Sequence, residues 1–160
     1  MPERIKFILT ENLNRLAKWL RLLGYDAALY KAISFPNLIR LARKDKRTLL
    51  TRSSEQAGSR QHFARRLLKS ENHLQQLREI KDLLVYDEEL IFSRCLLCNR
   101  KLVPITREKI KSRIPEFIYR NQQLFKICRQ CGRIFWQGTH TAEMLKTLTY
   151  IFQGDNGEEQ

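Results

Sequence analysis

Residues 5–30 read IKFILTENLNRLAKWLRLLGYDAALY, and this stretch decides the fold class. Its first five residues are apolar except for Lys6, a pattern typical of a mostly buried strand. Apolar residues then recur at the spacing of one helix face, at Leu13, Leu16, Ala17, Leu20 and Leu23. Gly24 stands where that helix would end. Residues 26–30 predict a second strand.

The same alternation continues along the chain. Pro36 lies near the start of a predicted helix over 37–43, and residues 47–52 predict a third short strand. Strand, helix, strand, helix and strand within about fifty residues are typical of a right-handed parallel α/β sheet. The pattern further predicts a short helix or loop over 54–60, a fourth strand over 63–68, and a helix through Leu74, Leu77, Ile80, Lys81 and Leu84 that Ser70 or Asn72 would cap.

The composition favours a folded protein that does not cross a membrane. The chain has 160 residues, 42% of them hydrophobic, which is enough apolar material for a core. Its longest apolar runs fall far short of the roughly 20 residues that a membrane span needs. The start of the chain lacks the apolar stretch of a signal peptide. We therefore expect a cytoplasmic protein with no membrane partner.

The character of the chain changes near residue 90, where the first cysteine follows an acidic patch. This change predicts an α/β domain over 1–90 and a cysteine-containing module over 91–153. The module would end in a helix, since apolar residues return at helical spacing in Met144, Leu145, Leu148, Ile151 and Phe152. Residues 154–160 predict a flexible tail.

The charge points to a polyanionic partner. Lys and Arg number 30 against 17 Asp and Glu, a net charge of +13. Residues 91–133 contain eleven of the basic side chains and only two acidic ones, Glu108 and Glu116. Nucleic acid is the usual partner of such a protein. The alternative is a basic surface that serves solubility alone.

The four cysteines form two pairs, Cys95-Leu-Leu-Cys98 and Cys128-Arg-Gln-Cys131. Two chelating pairs can close a tetrahedral shell of four thiolates around one zinc ion, so the site would be structural. One alternative is two disulfides, which are rare in intracellular proteins. Another is a redox site, which would use only one of the two pairs. Asn99 and Gly132 follow the pairs and can take the left-handed turn that points amides at sulfur.

Several segments resemble the Mut-seven C-terminal RNase domain family. They are LNRLAKWLRLLGYD at 13–26, LLTR at 49–52, the two cysteine pairs, and FWQGTH at 135–140. They follow one another in order over about residues 5 to 148, nearly the whole chain. The resemblance implies a PIN-like ribonuclease domain, a parallel sheet flanked by helices, followed by a zinc ribbon. It also implies that the 1–90 domain is the PIN-like one.

The resemblance also shows a departure. Nucleases of this kind hold Mg²⁺ or Mn²⁺ with carboxylates at the carboxyl ends of parallel strands. The family pattern has aspartates where this chain has Thr10 and Ser53. Nearby glutamates that could rebuild a catalytic site are Glu11, Glu55 and Glu71, although Glu11 is turned about 100° around a helix from Thr10.

These observations lead to one interpretation and two alternatives. We expect an RNA-binding protein on a PIN-like ribonuclease fold, with hydrolytic activity weak or lost. Its RNA could be tRNA or another structured or single-stranded RNA. The alternatives are an active Mg²⁺- or Mn²⁺-dependent ribonuclease and a zinc ribbon that binds an acidic protein partner. The expected RNA-binding residues are Arg15, Lys18, Arg21, Arg52, Lys101, Lys109, Lys111, Arg129, Arg133, Trp136 and His140.

Overall fold

The computed structural model describes residues 3–154. The chain forms two compact units, Met1–Asn99 and Arg100–Gln160. The module boundary near residue 90 stays a prediction. The predicted flexible tail lies outside the described residues, apart from Gly154.

The N-terminal unit is the expected alternation of strands and helices. Its elements are β1 (Lys6–Thr10), α1 (Asn14–Leu22), β2 (Ala27–Tyr30), α2 (Phe35–Lys44), β3 (Arg47–Thr51), α3 (Ser54–Ala57), β4 (Arg65–Leu67) and α4 (His73–Glu79). The predicted strands and helices are therefore confirmed to within a few residues. The helix predicted through Leu84 is shorter, because Ile80 leaves the helical region at φ −111° and a 3₁₀ turn, Lys81–Leu83, follows.

The four strands form one parallel sheet in the order β2-β1-β3-β4. Strand β1 is central, and its apolar residues Phe7, Ile8 and Leu9 are fully buried. A run that is apolar on both faces is typical of a parallel strand covered by helices on each side. Right-handed crossovers put α1 and α2 on opposite faces of this sheet.

Helix α1 is held to the sheet by its apolar stripe, with Leu16, Ala17 and Leu20 fully buried. Gly24 ends the segment at φ +85°, in the left-handed region that glycine adopts most readily. Helix α4 is capped by Asn72, whose side-chain oxygen accepts hydrogen bonds from the amides of Leu74 and Gln75. Of the two predicted caps, Asn72 is the one that the structure uses.

The C-terminal unit is built on a small antiparallel sheet. Strands β5 (Val103–Ile105), β6 (Phe125–Ile127) and β7 (Ile134–Phe135) pair in that order. A short helix, α5 (Glu116–Asn121), lies between β5 and β6, and α6 (Thr139–Gln153) ends the described chain. The expected C-terminal helix is thus confirmed, with Leu148 and Ile151 buried. No helix among residues 3–154 is long and apolar enough to span a bilayer.

We predict that Gly24→Ala lowers the free energy of unfolding by about 2 kcal/mol or more, because alanine is strained at this positive φ. A Cβ at this position would also lie 2.5 Å from the backbone oxygen of Leu90. Urea denaturation would measure the loss.

Gly154→Ala is the matched control, since Gly154 has φ −66° and its Cβ would meet only ordinary contacts with Tyr150. Equal stability of the two variants would contradict the prediction.

Candidate nucleic-acid interface and metal centre

The carboxyl ends of β1 and β3 lie side by side in the sheet, since Leu9 is in register with Leu50. Chain connections run to opposite sides of this pair, from β1 to β2 and from β3 to β4. Ligands of doubly wound sheets bind at such a switch point. Thr10 and Ser53 stand here, at the two positions where the resemblance implies aspartates.

Both hydroxyls are engaged by their own surroundings. Thr10 donates a 2.6 Å hydrogen bond to Oδ1 of Asn12. The Ser53 hydroxyl accepts from the backbone amide of Gln56 and so caps α3. Thr51, the last residue of β3 and two residues before Ser53, donates to Oε1 of Gln56 and accepts from the amide of Ser53. Neutral hydrogen bonds therefore hold the side chains at the carboxyl ends of β1 and β3.

The glutamates that could replace the aspartates are not gathered at this edge. Glu11 and Glu55 are exposed, and Glu71 is ion-paired with Arg52 at 3.2 Å. Within residues 3–154, the four cysteines are the only group of three or more His, Cys, Asp or Glu side chains placed to share a metal. Neutral hydroxyls and scattered carboxylates do not fit Mg²⁺ or Mn²⁺, which need several anionic oxygens.

A cleft of about 400 Å³ opens between the start of α1 and the start of α4. It is close to Thr10, since Asn12 is both the partner of Thr10 and part of the cleft wall. The ring of His73 also stacks on Trp19 of α1, with centroids 6.3 Å apart. The lining residues are Asn12, Leu13, Asn14, Arg15, Leu16, Glu71, Asn72, His73 and Gln76.

The four cysteines offer one Sγ each, and these four atoms lie within 4.8 Å of one another. A tetrahedral zinc site with Zn–S bonds of 2.3 Å separates its sulfurs by about 3.8 Å, so this arrangement can hold a metal ion such as zinc. Cys95 and Cys128 are buried, whereas Cys131 is exposed.

The backbone around both pairs has the expected turns. Asn99 has φ +62° and Gly132 φ +73°, which confirms the predicted left-handed positions. Each of these amides donates to the carbonyl of the first cysteine of its pair, at 2.9 and 2.8 Å. The Cys98 amide also points at the Cys95 sulfur, at 3.4 Å.

Arg21 of α1 is a support of the first cysteine pair. Its guanidinium donates to the carbonyl of Ala27 and, 75 residues further along the chain, to the carbonyl of Leu96 at 2.8 Å. Burial lowers the pKa of Arg21, while the Cys95 and Cys98 thiols act in the opposite direction. Arg21 thereby holds the backbone between Cys95 and Cys98.

Arg21 is one of the residues expected to bind RNA, and that role requires an exposed side chain. Arg21 is only 4% exposed. Six helical positions rotate a side chain about 240°, so Arg21 lies about 120° around α1 from Arg15. Nothing local in the sequence indicates its role, because its partners are backbone carbonyls, one of β2 and two of a loop about 75 residues away.

A second set of hydrogen bonds, between Asn99 and Asp26, ties the end of the first cysteine pair to the start of β2. Asn99 donates to the Asp26 carboxylate at 2.7 Å and accepts from the amide of Ala27 at 3.0 Å. Arg47 adds a two-pronged ion pair to Asp26, the shorter contact being 2.7 Å. Burial acts to raise the pKa of Asp26, but the hydrogen bonds from Arg47 and Asn99 outweigh it and hold the pKa below its usual value.

The other expected RNA-binding residues divide between the two units. In the N-terminal unit Arg15 is exposed, and Lys18 and Arg52 are partly buried. In the C-terminal unit Trp136 is partly buried and packs edge-on against Phe125, with centroids 6.4 Å apart. The remaining basic residues are exposed there: Lys101, Lys109, Lys111, Arg129, Arg133 and His140.

Comparison with known families gives a match over most of the chain. The family model described as the Mut7-C RNAse domain matches residues 5–148. Comparisons with curated proteins and with solved structures give no significant match.

We predict that protein purified without added zinc contains about one equivalent of the metal, and that Cys128→Ser loses it, because three thiolates leave the shell open. Elemental analysis and the folding of residues 95–131 by NMR would measure both effects. Freshly isolated protein with two intact disulfides and no metal would overturn this prediction.

We predict that Asp26→Asn lowers the free energy of unfolding by about 1 to 3 kcal/mol at pH 7, because Arg47 loses its charged partner. Since the folded pKa of Asp26 is depressed, its contribution is complete above the unfolded value, about 3.9, and is lost as pH falls through the folded pKa.

The difference from the unsubstituted protein should thus shrink in acid, as measured by urea denaturation between pH 7 and pH 3. Glu88→Gln, at an exposed carboxylate, serves as the control. A difference that does not depend on pH would rule out this role for the Asp26 carboxylate.

Proposed function

The chain belongs to the Mut7-C RNase domain family, and on that premise we propose that it is an RNA-binding protein with a structural zinc site and little or no hydrolytic activity. Zinc, once bound to the four thiolates, would fix the fold around both cysteine pairs. RNA would be bound through exposed basic side chains. Cleavage would be weak because the edge that carries it in a nuclease lacks metal ligands.

One observation carries the proposal on activity: Thr10 and Ser53 stand at the switch point of the sheet and are held by neutral hydrogen bonds. A phosphodiester is already anionic, so a hard cation beside it needs charged ligands. The two hydroxyls supply no charge. Glu71, the one carboxylate among the residues that line the cleft, is ion-paired with Arg52.

The charge supports RNA as the partner. The chain carries a net charge of +13. Some basic residues are used within the fold, such as Arg21 and Arg47, so they do not count towards an RNA surface. Arg15 and Lys18 remain on α1, and no ion pair involves either of them in the described part of the chain. The exposed basic residues of the C-terminal unit add to these.

We predict that the purified protein cleaves single-stranded and structured RNA slowly or not at all with Mg²⁺ or Mn²⁺. Thr10→Asp combined with Ser53→Asp is expected to raise divalent-ion affinity, because it restores two anionic ligands at the switch point. Gel assays of cleavage and calorimetric titration with Mn²⁺ would measure the two effects. Fast cleavage by the natural sequence that disappears in Glu11→Gln or Glu55→Gln would favour the active ribonuclease instead.

We predict that RNA affinity falls steeply with salt, and that Arg15→Glu with Lys18→Glu weakens binding to every RNA by a similar factor and flattens the salt slope. Fluorescence anisotropy between 50 and 300 mM salt, roughly the range where counterion release is measurable, would test this.

Arg40→Glu is the matched control, since Arg40 is exposed on α2, on the other face of the sheet. Affinity that does not change with salt would contradict RNA binding by charge. It would favour the alternative in which the cysteine-containing module binds a protein.

A further inference from the structure

The cleft between α1 and α4 has a wall rich in hydrogen-bond donors. Oδ1 of Asn12 accepts from Thr10 at 2.6 Å, and Oδ1 of Asn72 accepts from the amides of Leu74 and Gln75 at 2.9 and 3.1 Å. An amide side chain whose oxygen faces a donor within the protein leaves its NH₂ group available to donate to a ligand. No acceptor among residues 3–154 is bonded to either NH₂ group. Both amides therefore present donors.

The charge of the cleft wall also favours a ligand that accepts hydrogen bonds. Arg15 carries five N–H donors and forms no ion pair in the described part of the chain. The single carboxylate of the wall, Glu71, is compensated by Arg52 at 3.2 Å. An uncompensated guanidinium among amide donors is suited to an anion that accepts many hydrogen bonds, and phosphate is the common biological example.

His73 also lines the cleft, and its ring signals can be used to detect a bound ligand. Burial lowers the pKa of His73, and the positive charge of Arg15 lowers it further. Its face stacks on Trp19 at 6.3 Å, with the planes inclined by 22°. A phosphate placed between Arg15 and His73 would therefore change the environment of both rings.

We propose that this cleft binds a phosphate group of RNA directly, without a divalent metal between them. The proposal rests on the proposed function for the identity of the ligand. The phosphate can be an internal phosphodiester or a terminal monoester, since either supplies the anionic oxygens that Arg15 and the two amides would bind.

Thr10 helps to make the cleft suited to an anion. Because its hydroxyl donates to Asn12, the amide oxygen of Asn12 is held at Thr10 and its NH₂ group is released for a ligand. An aspartate at this position could only accept, so Asn12 would turn its NH₂ group towards it, and the cleft would gain a negative charge. The residue that lacks charge for a metal site is thus the residue that makes an anion site.

The test uses the full chain in buffer with EDTA at a concentration that leaves the zinc bound. RNA affinity is measured on the natural sequence, and Trp136→Phe is added for the fluorescence measurements alone, so that Trp19 is then the only tryptophan. Three probes are titrated: inorganic phosphate, a short RNA with a 5′-phosphate, and the same RNA without it. Trp19 fluorescence and the His73 ring signals in NMR are followed. Both should change with RNA. A larger change with the phosphorylated strand assigns the terminal monoester, and equal changes assign the internal phosphodiester.

Arg15→Gln and Thr10→Asp should each weaken RNA binding by about tenfold, the size expected for losing one charge-assisted hydrogen bond. Arg40→Gln should leave the affinity unchanged, and thermal melting would establish that all variants are folded. RNA that binds with unchanged affinity to both cleft variants, without disturbing His73 or Trp19, would overturn the proposal while leaving RNA binding itself intact. Absence of RNA binding at low salt would instead contradict the proposed function.

Discussion

The parallel pairing of β1 on both of its edges is the constraint on which the N-terminal unit depends. Strand β1 is bonded to β2 on one side and to β3 on the other, and it leaves no apolar side chain exposed. A central strand with crossovers leaving in opposite directions opens a crevice at its carboxyl end. The chemistry of this unit therefore follows from the few residues at that end, beginning with Thr10.

The residues at that end determine whether the crevice favours a cation or an anion. Carboxylates would gather a hard cation and, through it, a phosphate. In the site proposed above, hydroxyls, amides and Arg15 would face the phosphate themselves, so that no cation would be needed. The fold of a nuclease family is thus compatible with a protein that holds RNA and does not cut it. This distinction depends on electrostatics at two positions, whereas the backbone stays the same.

The basic residues have two different tasks, and net charge alone does not separate them. Arg21 and Arg47 bind carbonyls and a carboxylate within the N-terminal unit, and together with Asn99 they hold the first cysteine pair against α1 and β2. Arg15 and Lys18 have no such partners among residues 3–154. The number of basic side chains available to a polyanion is consequently smaller than the 30 Lys and Arg of the sequence.

The sequence alone determined the order of strands and helices in the N-terminal unit, the C-terminal helix, the end of the first helix at Gly24, the two cysteine pairs and the left-handed turns at Asn99 and Gly132. Each of these is a local pattern, in which apolar spacing or a single residue type sets the backbone. The tertiary structure alone decided that Arg21 is buried, that Asp26 binds Asn99 across 73 residues, and that Glu71 binds Arg52. These partners come from different elements, so they are fixed only when the sheet order and the rotation of each helix bring those elements together.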